Sequence, residues 1–375
     1  MDMDEYDVLV VGGGVAGSIV AKFAAKHGLK TLLIEKAKTP RNKPCSGIQF
    51  SYFEKLIGER IPREALCQND LFKVEMMTPS GKVTRGKMRM FNFWRSTFDS
   101  RLNSIAVNAG AEFRDEVLFT GIKENGKGIT AKCSTRNSKF EVKTRYLIAA
   151  DGLLSGIRKK LRPEDFYTKA TSGAINFYFK GETNMDPNTL YMFYLREFSN
   201  LMFAWVYLKD DQWVIGSGAD PEPIEYAKRF FNYIKERFSL RGEVVRREGF
   251  ASPLRSVVFP GLGNILIVGD AAGLVDVYRG VGMDNAAISG RLAVKAILKS
   301  EEKGNPPCET YGRLLKGMIL KIDRNEAKQR AIFATNESLE KSLSPIRQLR
   351  SGILMLAATQ LNRILPPEKV ITLPL

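Results

Sequence analysis

The first forty residues contain two short apolar runs separated by one amphipathic segment. Residues 7–12, DVLVVG, form an apolar run that ends in glycine, which predicts a short, buried parallel strand. Residues 15–24 carry apolar side chains at three-to-four spacing, and Gly28 follows, so a helix is predicted that ends close to that glycine. Residues 31–36, TLLIEK, predict a second strand. Together these segments predict a βαβ unit about 30 residues long.

The turn between the first strand and the helix carries the pattern G-x-G-x-x-G. In such a turn Gly12 would permit the bend, Gly14 would let a diphosphate approach the backbone, and Gly17 would let helix and strand pack closely. The helix then offers free amides and a positive dipole end to phosphate, with Val15 and Ala16 in its first turn.

A carboxylate stands where a dinucleotide site needs one. Glu35 ends the second strand, 18 residues after Gly17, where it would accept hydrogen bonds from a ribose. Lys36 follows it and is included among the predicted cofactor contacts. The glycine pattern alone does not separate NAD from FAD.

The middle of the chain is dominated by period-two alternation, which predicts strands. Residues 71–93 alternate on both sides of a turn at 79–81, and residues 112–152 predict further short strands. Between them, residues 97–109 have helical spacing. Residues 172–219 contain four β-rich runs, which predict an antiparallel sheet with one face available to cover a ligand.

The last third of the chain is mostly helical in pattern. Residues 223–239 and 283–299 predict helices, residues 264–270 predict a buried strand, and residues 306–375 are basic and mostly helical. The order predicts an α/β protein in which a nucleotide-binding domain is interrupted by a sheet. The predicted parts are a discontinuous nucleotide-binding domain over 1–165 and 250–305, a substrate-binding domain over 166–249, and a helical C-terminal region over 306–375. Part of the segment 70–95 is predicted to join the sheet of the substrate-binding domain.

Composition and charge narrow the function classes. The 375 residues are 44% hydrophobic and 26% charged, as in ordinary globular proteins, so extended disorder is not expected. The formal net charge of +16 favours an anionic partner. No nucleic-acid-binding motif accompanies it, so we expect no nucleic acid and favour phospholipid or a polyprenyl phosphate.

Cysteine and histidine are too scattered for a metal or disulfide site. The chain has four cysteines without paired spacing and a single histidine, His27. No metal is therefore predicted, and neither is a redox-active dithiol. The acidic start and the lack of a bilayer-length apolar run predict a cytoplasmic protein, with peripheral contact to the inner face of the membrane as a further expectation.

Two later segments accompany the glycine motif. Residues 150–158 contain Asp151 followed by glycine, and Gly269 and Asp270 follow an apolar strand. In this order and spacing the sequence resembles the FAD-dependent monooxygenase and reductase superfamily typified by para-hydroxybenzoate hydroxylase, over roughly the first 300 residues. The resemblance implies a Rossmann-type, glutathione reductase-like FAD-binding domain with FAD as cofactor. It also implies that Asp270 bonds the ribityl chain and that Arg95, in a family-like stretch over 95–102, approaches the flavin.

Three shorter segments resemble geranylgeranyl reductases in particular. Residues 43–47, KPCSG, resemble a P-C-G-G loop that places a cysteine near the isoalloxazine ring, although one glycine is serine here. Residues 203–208, FAWVYL, and the G-x-G that follows resemble Y-x-W-x-F-P and its glycines, with leucine for proline. Residues 280–283 resemble a G-x-G loop beside the pyrimidine end of the flavin, with Tyr278 where the family usually has proline nearby. The resemblance thus implies flavin contacts for Cys45, Ser46, Gly47, Gly280, Val281, Gly282 and Met283, and substrate contacts for Phe203, Trp205, Tyr207, Gly216 and Gly218.

The resemblance implies an FAD-dependent reductase that hydrogenates the double bonds of an isoprenoid chain, on a polyprenyl phosphate or an archaeal-type ether lipid. A monooxygenase on the same fold and a prenyl-lipid carrier without turnover stay open as alternatives. The electron donor, ferredoxin or NADPH, also stays open, because no second glycine motif marks a stable NADPH site. Residues 345–365 predict a basic amphipathic helix, which makes an anionic membrane surface a candidate partner.

Overall fold

The computed structural model describes residues 4–125, 128–166, 172–252, 257–276, 280 and 282–372. The strands are β1 (Asp4–Val11), β2 (Thr31–Ile34), β3 (Ile48–Gln49), β4 (Leu71–Met77), β5 (Val83–Asn92), β6 (Glu112–Arg114), β7 (Leu118–Asn125), β8 (Gly128–Ser134), β9 (Lys139–Ala149), β10 (Ser172–Glu182), β11 (Thr189–Phe193), β12 (Ala204–Lys209), β13 (Gln212–Ala219), β14 (Arg241–Ser252), β15 (Gly261–Leu262) and β16 (Ile265–Ile267). The helices are α1 (Val15–Lys26), α2 (Phe53–Ile57), α3 (Arg95–Asn108), α4 (Gly156–Leu161), α5 (Pro223–Arg237), α6 (Met283–Lys303), α7 (Pro307–Ile332), α8 (Asn336–Ser342) and α9 (Pro345–Ile364).

The first sheet holds the predicted βαβ unit. Its strand order is β15-β16-β9-β1-β2-β6, and the β7–β8 hairpin joins it through β9. Strand β1 pairs in parallel with both β2 and β9, so it lies in the interior of the sheet. Val8, Leu9 and Val10 are fully buried, as expected for a parallel strand whose two faces are both covered. Helix α1 packs against α3 and α6.

The second sheet gathers strands from two distant parts of the chain. Its order is β14-β10-β13-β12-β11-β4-β5-β3, so β4 lies beside β11, which follows it by more than 100 residues. The strands over 172–219 pair antiparallel with one another, as predicted. The sheet as a whole is mixed, because β11 pairs with β4 in parallel. These two strands are not joined by a hairpin, and so no tight turn forces them to run in opposite directions. The proposed domain boundaries stay a prediction.

The two faces of the second sheet serve different cores. Along β12 and β13 the side chains of Tyr207 and Val214 belong to the large core that also contains the first sheet. Their neighbours Val206 and Ile215 point to the opposite face, where α5 covers them with Phe230. Period-two alternation thus gives the sheet one face towards α5 and one towards the rest of the molecule.

Several helix and strand bounds differ from the sequence prediction. Helix α3 begins at Arg95, two residues earlier than predicted. The strand predicted over 264–270 ends at Ile267, because Gly269 has a φ of +59° and begins a 3₁₀ helix, Gly269–Ala272. The predicted turn at 79–81 is confirmed by Gly81, whose amide donates to the Thr78 carbonyl. Among the described helices, none is both long enough and apolar enough to cross a bilayer.

Candidate functional site

The glycine turn after β1 depends on two close backbone approaches. Gly12 has a φ of +113°, and a methyl group there would overlap the carbonyl group of Ala150. A methyl group at Gly17 would overlap the carbonyl oxygen of Gly12. Helix α1 therefore lies against the turn itself, and its N-terminus is held at the carboxyl edge of the first sheet, where ligands of such sheets bind.

The N-terminus of α1 is suited to an anion. Its first residue after the N-cap Gly14 is Val15, followed by Ala16, and within the described residues no side chain caps its amides. A side chain at Gly14 would find as its nearest neighbour the guanidinium of Arg41, 3.5 Å away. Unpaired amides, the helix dipole and a guanidinium thus face one space, which fits a diphosphate.

Glu35 is buried beside this turn. Its carboxylate accepts hydrogen bonds from the amides of Gly13 and Ala37, each at 3.0 Å, and lies 3.0 Å from Nε of Arg41. Lys36 next to it is exposed. Arg41 was missed by the sequence analysis, although its position six residues after Glu35 could have marked it as a residue of the same site.

Arg95 lies at the start of α3 and is fully enclosed. Its guanidinium donates two hydrogen bonds of 2.8 Å to Asp99, one turn further along the helix. Burial opposes the charge, but the Asp99 carboxylate and the Cys45 thiol outweigh it, so the pKa of Arg95 is raised. Asp99 was also missed, yet its i,i+4 spacing from Arg95 can be seen in the sequence.

The two later aspartates lie in different surroundings. Burial raises the pKa of Asp151, whose Oδ2 accepts from the Ile157 amide at 3.3 Å. Asp270 is more accessible, and its Oδ2 lies 3.3 Å from Nζ of Lys43. A methyl group at Gly282 would come within 3.4 Å of the other Asp270 oxygen, so the loop before α6 lies against this carboxylate.

That loop also contacts the second sheet and the cysteine loop. Gly280 has a φ of +61°, and a side chain there would lie 3.1 Å from Cε of Met202, which also adjoins Gly218. Met283 begins α6, and its sulfur lies 3.8 Å from Sγ of Cys45. Val281, Tyr278 and Arg279 lie outside the described residues.

The cysteine loop is joined to the second sheet through Gly47. This residue has a φ of +59°, and a methyl group there would overlap the carbonyl oxygen of Phe93. The Phe93 amide donates to the Gly47 carbonyl at 2.9 Å. The hydroxyl of Tyr207 donates to the carbonyl oxygen of Ser46 at 3.2 Å, and burial raises the pKa of this tyrosine. Cys45 therefore lies between the second sheet and the start of α6.

The remaining predicted substrate residues lie on β12 and β13, apart from Phe203, which directly precedes β12. Nε1 of Trp205 donates to Oδ1 of Asn176 at 2.9 Å. Any side chain at Gly216 would overlap both of these groups, so this glycine makes room for the indole. Phe203 is buried and meets Trp205 edge-on, with ring centroids 6.4 Å apart.

Lys209 is a buried lysine that the sequence analysis missed. It follows Trp205 and Tyr207 at period-two spacing on β12, and its Nζ donates to the Phe93 carbonyl. Burial lowers the pKa of Lys209 to about 8. With Cys45 and the ring of Trp94, it lines a cavity of about 10 Å³, room for roughly one water.

This cavity is rich in charged and aromatic groups. The guanidinium of Arg246 lies 3.8 Å from the ring centroid of Tyr178 and 5.2 Å from that of Trp94. It also pairs with Glu248 at 3.2 Å. Lys43 and Arg95 complete the cationic lining. A compact group of four cations thus surrounds Cys45.

The depressed pKa of Lys209 predicts a pH-dependent stability. Between pH 8 and 10.5 the unfolded chain binds more protons at this lysine than the folded chain does, so the free energy of unfolding rises with pH. Relative to Lys209→Met, the wild-type value should rise by on the order of 2–3 kcal/mol across this window. Urea unfolding of both proteins at several pH values measures the difference. Lys87→Met, which replaces an exposed lysine on β5, is the control. If it changed the pH dependence of the free energy of unfolding as much as Lys209→Met does, the prediction would be contradicted.

Comparison with known proteins agrees with this geometry. The family model described as an FAD binding domain matches residues 5–309. The chain is 29% identical over 335 residues to digeranylgeranylglycerophospholipid reductase of Methanocella arvoryzae, covering 82% of this chain and 81% of that protein. It is 27% identical over 406 residues to geranylgeranyl diphosphate reductase of Rhodobacter capsulatus, covering 97% and 99%.

Solved structures agree on the fold. A geranylgeranyl bacteriochlorophyll reductase-like protein of Thermoplasma acidophilum superposes with a TM-score of 0.82 at 24% identity, covering 92% of each chain. A flavin-dependent brominase superposes with a TM-score of 0.72 at 18% identity, covering 94% of this chain and 93% of that one. The chain belongs to the FAD-binding domain family and is an FAD-dependent oxidoreductase.

Proposed function

We propose that this protein is an FAD-dependent reductase that adds hydrogen across the C=C bonds of an isoprenoid chain. The observation that carries the proposal is the meeting of three segments at Cys45. Its thiol lies 3.8 Å from the Met283 sulfur, and the next residue of its loop, Ser46, accepts from Tyr207. The loop that resembles geranylgeranyl reductases therefore joins the cofactor-binding half to an aromatic sheet face.

The cofactor would be held by residues from both ends of the chain. We assign the diphosphate to the amides of α1 behind Gly14, and a ribose to Glu35. Asp270 is assigned to the ribityl chain, and the loop over 280–283 to the pyrimidine end of the ring. Once bound and reduced, FAD supplies hydride to an alkene carbon.

The protein's own contribution is position and a dry environment. An unactivated alkene is a poor hydride acceptor, so the site must exclude water and tolerate positive charge on carbon. Trp205 and Phe203 offer aromatic faces that suit this task. The cations around Cys45 are largely balanced, because Lys43, Arg95 and Arg246 each lie within 3.3 Å of a carboxylate.

Histidine catalysis does not fit this site. His27 is the single histidine of the chain and lies exposed at the end of α1, where its ring contacts the Phe23 carbonyl. The proton would instead come from solvent or from a group near Cys45. The residues that we assign are compatible with a polyprenyl phosphate or an archaeal-type ether lipid as substrate. They are likewise compatible with ferredoxin or NADPH as electron donor. The two curated relatives named above support the lipid class.

The product of an anaerobic reaction tests the function. FAD-loaded protein reduced with dithionite is incubated with geranylgeranyl phosphates and with unsaturated archaeal-type diethers, and the lipids are measured by mass spectrometry. We expect products that have gained two hydrogens per double bond. A product that forms with oxygen alone and carries an oxygen atom would instead favour the monooxygenase. A colourless protein that binds the lipid unchanged would favour a carrier.

Gly14→Val should remove FAD without unfolding the protein. The backbone at Gly14 is extended, with φ −84° and ψ −172°, so valine is tolerated there, but its side chain would fill the space assigned to the diphosphate. We expect mostly apoprotein, measured as the ratio of flavin to protein absorbance after purification. Gly86→Val on the exposed β5 is the matched control and should keep its flavin. A full flavin content in Gly14→Val would contradict the assignment.

Cys45→Ser should retain FAD and lower the rate of alkene reduction by about tenfold or more, because the sulfur contact with Met283 is lost. Single-turnover reduction measured by mass spectrometry, together with flavin reoxidation by oxygen, gives both rates. Serine replacements of Cys67, Cys133 and Cys308 are the controls. Equal effects at all four cysteines would show that Cys45 has no special position.

A further inference from the structure

Helix α9 is attached to the protein along a narrow strip. Of its twenty residues, all of them described, two are buried, Ala358 and Asn362. Seven of the other residues are large aliphatic ones, and each is at least 45% exposed. Soluble proteins seldom leave so many such side chains on one element, and a contiguous apolar face marks an interaction site. The exposed aliphatic residues are Ile346, Leu349, Ile353, Leu354, Leu356, Leu361 and Ile364.

The charge on this helix has one sign. Arg347, Arg350 and Arg363 are exposed, and the sequence of α9 contains no aspartate or glutamate. Two copies of so basic a helix would repel each other, which argues against a dimer through this face.

The fixed end of α9 leads towards the candidate site. Nζ of Lys55 in α2 donates to the carbonyls of Asn362 and Arg363, at 2.9 and 3.2 Å. Just beyond α9, Glu368 pairs with Arg291 of α6 at 3.8 Å. Arg291 lies eight residues after Met283, roughly 12 Å along the helix. The helix is therefore fastened to the same element that begins beside Cys45.

We infer that α9 lies in the interface of an anionic phospholipid membrane, with its aliphatic side chains among the acyl chains and its arginines at the phosphates. The inference rests on the proposed function, since an isoprenoid lipid substrate resides in a membrane. A helix of this kind inserts shallowly and parallel to the surface, and each basic group near an anionic leaflet adds to its binding. The net charge of +16 has the sign that this partner requires.

Vesicle flotation of the full-length, FAD-loaded protein tests the inference. At low salt the protein should float with vesicles that contain phosphatidylserine and should not float with phosphatidylcholine alone. High salt should release the protein, because the attraction between exposed charges decays over about 3 Å at 1 M salt. Equal binding to both kinds of vesicle, or to neither, would overturn the inference.

Matched variants separate the helix from the overall charge. Arg347→Gln with Arg350→Gln should weaken binding by about fivefold per arginine. Leu349→Asp with Leu356→Asp should abolish flotation. The controls make the same changes elsewhere: Lys159→Gln with Lys160→Gln on α4, and Ile224→Asp with Leu262→Asp at exposed positions outside α9. If each control weakens binding as much as its partner, the net charge alone is responsible and α9 is not the membrane face.

Two further measurements keep this inference distinct from the proposed function. Reduction of a short, water-soluble prenyl phosphate should be unchanged in the α9 variants. If wild type floats as expected but reduces no lipid, the proposed function fails and the membrane face stands. Sedimentation without lipid should give the same mass for wild type and for Leu349→Asp with Leu356→Asp. A wild-type dimer that these substitutions dissociate would identify a second copy of the chain as the occupant and overturn the inference.

Discussion

The close approach of α1 to the turn after β1 determines where the rest of the site can lie. Because Gly17 has no side chain, its backbone meets the carbonyl of Gly12, and α1 begins at the edge of the first sheet. A second small residue continues the arrangement, since a methyl group at Gly290 of α6 would lie 2.9 Å from the Ala16 carbonyl. Helix α6 is thereby held against α1, and its first residue, Met283, reaches Cys45.

The second constraint is the bond between the cysteine loop and the second sheet. Gly47 allows the loop to pass so close to Phe93 that the Phe93 amide donates to the Gly47 carbonyl. Lys209 donates to the carbonyl oxygen of Phe93. The alternation of β12 then presents Trp205, Tyr207 and Lys209 on the face that meets this loop. The segments that we assign to the cofactor and to the substrate thus share one junction, and the proposed chemistry requires that.

Local sequence signals predicted the parts whose structure is itself local. The βαβ unit, the turn at Gly81 and helix α3 could be predicted because neighbouring residues determine them. The parallel pairing of β4 with β11 could not be predicted, because the sequence of neither strand indicates which strand it pairs with.

The site residues follow the same rule. Lys209 meets Phe93 across 116 positions, and Lys43 meets Asp270 across 227, so no spacing pattern could have linked them. Arg41 and Asp99 lie nearer to the motifs but belong to none of them, and their contact with each other forms only in the folded chain. The roles assigned to the motif residues stay predictions, since geometry gives their positions and not their reactions.

On the proposed function, electrons pass from reduced FAD to an isoprenoid double bond without oxygen. Anaerobic stopped-flow absorbance tests this step: protein whose flavin has been reduced stoichiometrically is mixed with a geranylgeranyl lipid in the absence of oxygen. We expect the oxidised-flavin absorption band to return at a rate that increases with lipid concentration, and a saturated lipid of the same length to leave the flavin reduced. If the flavin stays reduced with the unsaturated lipid and is reoxidised only when oxygen is admitted, the protein is not an isoprenoid reductase.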